Sequence, residues 1–143
     1  MVEMFFIGLG GLFTAMVFLG VSQMKIKQVL LGFFCYSFLP ILGEILGWII
    51  NNQIYHLLFI SLFICQLVLS SICFQEIDYE DPSVSKPLAR IFSAIFVINL
   101  MSAITILMLL GNINTVFGMY HVLICGLLLP VIIKYIKASI SKK

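Results

Sequence analysis

Charge is what this sequence has least of. Asp, Glu, Lys and Arg make up 10% of its 143 residues and hydrophobic types 62%, too little polar surface to cover a water-soluble domain. Recognised catalytic patterns are also missing. There is no Gly-rich phosphate loop after a strand, no His-Glu-x-x-His, and no Ser-His-Asp set in water-accessible loops, so no enzyme acting alone is expected. The four cysteines, Cys35, Cys65, Cys73 and Cys125, lie in apolar runs without Cys-x-x-Cys spacing, which points away from a disulfide framework or a zinc site. No basic stretch precedes the first apolar run, as a cleaved signal peptide would need, and no lipidation signature is present. Lysines are too few and too dispersed to imply nucleic acid.

Long apolar runs are what the chain has instead. A helix needs about 20 apolar residues to cross roughly 30 Å of hydrocarbon, and runs of that order fall at approximately 4–22, 29–50, 55–74, 91–111 and 117–136. They predict an all-α membrane protein, a single integral membrane domain built as a bundle of about five transmembrane helices. Asn51-Asn52-Gln53 marks a tight turn between the second and third spans, and Gln75 to Arg90, with four acidic residues and two prolines, reads as an extended loop. The fifth span is the weakest, because His121, Pro130 and Lys134 interrupt it; a re-entrant or tilted segment is its alternative.

Basic residues decide that point, since they concentrate on the cytoplasmic side whatever the hydropathy. Lys25 and Lys27 lie in the first loop, Lys86 and Arg90 in the third, and Lys134, Lys137, Lys142 and Lys143 toward the tail. Five spans with the N-terminus outside and the C-terminus cytoplasmic bring all of them to one side, with 75–90 as a cytoplasmic loop. A bacterial inner membrane or its equivalent is the expected location, and the lipid bilayer the first partner.

Polar side chains are costly inside a bilayer, and three central runs carry one each: Glu44, Gln66 and Asn99. Ser37, Pro40, Glu44 and Gly47 share one helical face. So do Gln66, Ser70 and Cys73, and likewise Asn99, Ser102 and Ala103. An intramembrane cluster follows, with Glu44 hydrogen-bonded to Gln66 or Asn99 as its structural form. Low dielectric disfavours an isolated carboxylate, so Glu44 is equally a candidate proton carrier or cation ligand. At about 1.5 Å per residue it lies roughly 9 Å below the outer end of its helix. Gly11-x-x-x-Ala15 and Gly43-x-x-x-Gly47 are candidate helix-packing motifs, where bulk at Gly43 or Gly47 should disrupt the bundle.

Tyr55-His56-Leu57-Leu58 opens the third span and Tyr120-His121-Val122-Leu123 the fifth, which suggests a duplicated hairpin. His56 and His121 at matching depth are candidate ligands for haem, copper or another metal, or could line a quinone pocket. As amphipathic rings they equally suit the interface, as Trp48 does. No cofactor is expected by default. The acidic loop suits a docking surface or a plain solvated connector. A chain this small predicts first an accessory or structural subunit of a larger membrane complex, held to other membrane subunits or to itself. An oligomeric transporter or channel using Glu44 is the second expectation, and a haem- or metal-binding redox protein the third.

Overall fold

A backbone in lipid must satisfy its own hydrogen bonds, so long apolar runs can only become helices or closed barrels. The chain takes the helical route. A computed structural model describes residues 2–109 and 115–141. It comprises α1 (Val2–Ser22), α2 (Ile26–Asn51), α3 (Ile54–Ser70), α4 (Ser85–Leu109) and α5 (Thr115–Ile140), with 3-10 turns at Ser71–Phe74 and Pro82–Val84. Among the described residues there is no strand, and five helical segments are long and apolar enough to cross a membrane. This is the architecture of a multi-pass membrane protein. Gly111, expected in the fourth span, and Lys142 and Lys143 lie outside the described residues.

The largest departure from the expected boundaries has an identifiable reason. α4 begins at Ser85 rather than 91, because Pro87 falls in the first helical turn, where a missing N–H costs no intrahelical bond. The connector is therefore short, and the Asp81 carboxylate accepts the Ser83 N–H at its 3-10 turn (2.7 Å). α5 runs unbroken through Pro130, so the fifth span is one helix and not a re-entrant segment. The α1–α2 and α2–α3 turns use left-handed residues, Met24 (φ 50°) and Asn52 (φ 48°). The Asn52 N–H closes onto the Trp48 carbonyl at 2.8 Å, and Asn tolerates that backbone better than most residues.

Each helix packs on its neighbour in sequence, and α5 closes back onto α1. The result is a five-membered ring of helices. α1 and α2 meet through glycines: a Cβ at Gly20 would lie 2.8 Å from Val29 Cγ2, and one at Gly32 would lie 2.8 Å from Val17 Cγ2. The inward stripe of α1 is thus Gly10, Thr14, Val17 and Val21. A Cβ at Gly11 would instead lie 3.2 Å from the Tyr120 hydroxyl, and Ala15 faces outward. The expected Gly11-Ala15 seam lies one residue off the true one.

At the end carrying the 75–84 connector the ring is filled by Phe33, Phe92, Leu128, Val131 and Tyr135, all buried. The connector is tied down there. Tyr135 donates to the Tyr79 carbonyl at 3.1 Å, Tyr79 to the Ile72 carbonyl at 3.3 Å, and Lys134 pairs with Glu80 at 2.8 Å. Loss of solvent holds the Tyr79 phenol above its ordinary value, with nearby Cys73 adding to the effect.

Candidate functional site

The opposite end of the ring, where the α2–α3 turn lies, is not filled. The first half of α1, the second half of α2, the first half of α3, the end of α4 and the start of α5 surround a cavity of about 320 Å³. Its wall is mostly aromatic: Phe6, Tyr36, Tyr55, Phe59, Phe63 and Phe117 line it. Three further side chains supply its chemistry, Glu44, His56 and His121. Among the described lining residues there is no Lys, Arg or Asp.

Glu44 lies on α2 two turns from its end, and His56 sits in the first turn of α3, so the tight turn between them brings the two together. His56 Nδ1 is 2.5 Å from Glu44 Oε2. The fit depends on Gly47, since a Cβ there would come within 2.5 Å of His56 Cε1. Gly43 has open space where its Cβ would be. Of the expected packing pair, Gly47 thus seats an imidazole and Gly43 faces the cavity. His56 is buried, and its other nitrogen, Nε2, has no hydrogen-bond partner among the described residues.

His121 is held differently. Its Nδ1 is 2.8 Å from Asn99 Oδ1. Asn99 Nδ2 donates to Gln66 Oε1 (2.7 Å) and to the Ile95 carbonyl (2.8 Å). Gln66 Nε2 donates to Ser37 Oγ (3.0 Å), whose hydroxyl donates to the Phe33 carbonyl (2.7 Å). All four side chains are buried. Because two backbone carbonyls can only accept, they fix the direction of the whole chain. The Asn99 amide must turn its oxygen to His121, so His121 carries its proton on Nδ1 and presents a bare lone pair at Nε2. Tyr36 and Phe63 flank the ring, with centroids 5.6 and 5.5 Å away.

The expected trio of Glu44, Gln66 and Asn99 therefore divides. Gln66 and Asn99 are bonded to each other across α3 and α4, while Glu44 pairs with His56. Ser37 and His121 complete the buried chain, and Ser70 and Ser102 turn back on their own helices through the Gln66 and Ile98 carbonyls. The two Tyr-His segments are partly equivalent. Each histidine ties Nδ1 to a polar side chain of the preceding helix, but Tyr55 lines the cavity whereas Tyr120 donates to the Ile7 carbonyl of α1 at 3.0 Å.

With Nδ1 oriented on both rings, the two Nε2 atoms are the free coordinating atoms. Among the described residues, no three of His, Cys, Asp and Glu come together as a metal-binding group. A closed tetrahedral site of protein ligands therefore does not fit. What the arrangement offers is imidazole acceptors, the hydroxyls of Tyr36 and Tyr55 and one carboxyl group in an aromatic enclosure. No protein-family model matches the chain, and neither a curated protein nor a solved structure matches it.

Proposed function

We propose that the chain is a small proton-coupled membrane transporter whose substrate site is the cavity holding Glu44, His56 and His121. The observation that carries this is the convergence of an ionisable Glu–His pair and an oriented imidazole in an apolar enclosure inside a helical membrane protein. Intramembrane carboxyl groups are expensive and mark substrate and proton paths. An accessory subunit, the first expectation from sequence, needs only packing surface, and this cavity goes beyond that need.

Two further features support the assignment. The five-helix ring encloses the site within one chain, so no second copy is needed to complete it. Below the cavity the buried polar chain and then the aromatic plug separate it from the other end, as a transporter requires of a state open to one side. Pro40 and Pro130 each free a carbonyl one turn earlier, at Tyr36 and Gly126, giving α2 and α5 points at which to bend. All six basic residues among the described ones lie toward the connector end. By the positive-inside rule that end is cytoplasmic and the cavity faces outward.

The test is reconstitution into liposomes with a trapped pH indicator, exposed in turn to small lipophilic amines, phenols and neutral aromatics. At least one class should move protons in a substrate-dependent way, and Glu44→Gln should abolish the movement. Full coupled flux in Glu44→Gln, or no substrate-dependent proton movement with any class, refutes proton-coupled transport through this site.

A further inference from the structure

We infer that the cavity's ligand is a small monovalent organic cation bearing at least one N–H, a protonated amine on an aromatic or compact apolar body, bound in exchange for one proton. The inference rests on the cavity being the substrate site, and it names what that site selects.

Charge is the first consideration. The titratable groups facing Glu44 in the cavity are Tyr36 on its own helix, Tyr55 and His56 from α3, and His121 from α5; α1 contributes Phe6 and Gly10, and α4 contributes Ile106. No lysine or arginine among the described lining residues balances the carboxyl group. Without ligand, the Glu44–His56 pair shares one proton and is neutral overall, as carboxylic acid with imidazole or as carboxylate with imidazolium. Low dielectric favours that neutrality. A bound cation restores it only if the shared proton leaves, so the ligand keeps its own proton, the pair releases one to water, and Glu44 remains as carboxylate beside neutral His56. An anion would find no fixed positive charge here.

Hydrogen bonding is the second consideration. Once the shared proton has gone, His56 donates Nδ1–H to Glu44 and keeps a bare Nε2 enclosed in the wall of the site. That is the atom left buried without a partner among the described residues. His121 is fixed in the same tautomer by Asn99, so its Nε2 is a second acceptor. Imidazole lone pairs and a carboxylate are complementary to an ammonium N–H set and not to a quaternary centre. Faces of the surrounding Tyr and Phe rings then favour a cation with an apolar body.

Binding to the purified full-length chain in nanodiscs, followed by calorimetry, separates the possibilities. The probes are benzylammonium, N,N-dimethylbenzylammonium, benzyltrimethylammonium and benzyl alcohol. The first two should bind, and removal of the last N–H should weaken binding by roughly tenfold, the order expected from one charge-assisted hydrogen bond. Benzyl alcohol should bind more weakly still, and His121→Phe should shrink the gap between the dimethyl and trimethyl probes. Equal affinity for the trimethyl probe or for benzyl alcohol overturns the inference. So does stoichiometric binding of zinc or cuprous ion in competition with benzylammonium, which would make the two Nε2 atoms metal ligands. If liposomes show Glu44-dependent proton movement only with phenols, transport stands and the amine assignment falls. If benzylammonium binds with the N–H dependence but no probe moves protons, the site assignment stands and transport falls.

Discussion

Replacing Asn99 by Leu should destabilise the bundle more than replacing Gln66 by Met, although the two amides are bonded to each other. Gln66→Met removes two interhelical hydrogen bonds, one from Asn99 Nδ2 and one to Ser37 Oγ. Both former partners keep a backbone carbonyl as acceptor, at Ile95 and Phe33. Asn99 Nδ2 carries two hydrogens, so the one aimed at Gln66 Oε1 is left buried without an acceptor, at about 1–3 kcal/mol; with about 0.6 kcal/mol for each interhelical bond lost in a membrane, the loss is about 2–4 kcal/mol. Asn99→Leu removes the bonds to Gln66 and to His121 and leaves two groups buried without partners, the His121 Nδ1–H and Gln66 Oε1. Each unsatisfied buried group adds about 1–3 kcal/mol to the two lost bonds, for a total of about 3–7 kcal/mol. Denaturation in detergent can be followed by a thiol-reactive fluorophore in a Cys35→Ala, Cys65→Ala background, because Cys73 and Cys125 are buried in the folded bundle. Equal losses, or a larger loss in Gln66→Met, would refute the directional chain and with it the assigned tautomer of His121.

Other positions give sharper contrasts. Gly47→Ala should push the His56 ring off Glu44 and abolish substrate-dependent proton movement in liposomes, whereas Gly43→Leu should fill the cavity and block ligand binding with no loss of thermal stability. Gly32→Leu should separate α1 from α2 at Val17 and cost on the order of 1–3 kcal/mol in detergent unfolding. The raised Tyr79 phenol stabilises the folded connector fully below its unfolded value of about 10 and loses that contribution as pH rises through the higher folded value. Phenolate absorbance should therefore lose part of its late-titrating signal in Tyr79→Phe.

The helical spans and their inward polar faces were legible from sequence because hydropathy and a 3.6-residue period report them directly. Partner choice was not. Whether Glu44 meets Gln66, Asn99 or His56 depends on the register of α2 against α3, which the Asn51–Gln53 turn and the missing side chain of Gly47 set in three dimensions. The small-residue motif of α1 missed its register for a related reason: one residue is about 100° of helix rotation, enough to move the inward stripe from Gly11 and Ala15 to Gly10 and Thr14. The early start of α4 was hidden by Pro87, which reads as a breaker in a sequence and is harmless in a first turn. The cavity had no signal of its own, since the aromatic residues lining it have the same hydropathy as those that face lipid.

The most direct test of the whole account is the proton count on binding. Purified protein in weakly buffered nanodisc suspension, mixed with benzylammonium at a pH where the amine is fully charged, should release about one proton per ligand bound, and Glu44→Gln should release none. Binding without proton release, or release that persists unchanged in Glu44→Gln, would contradict the assignment of the Glu44–His56 pair as the exchanging group.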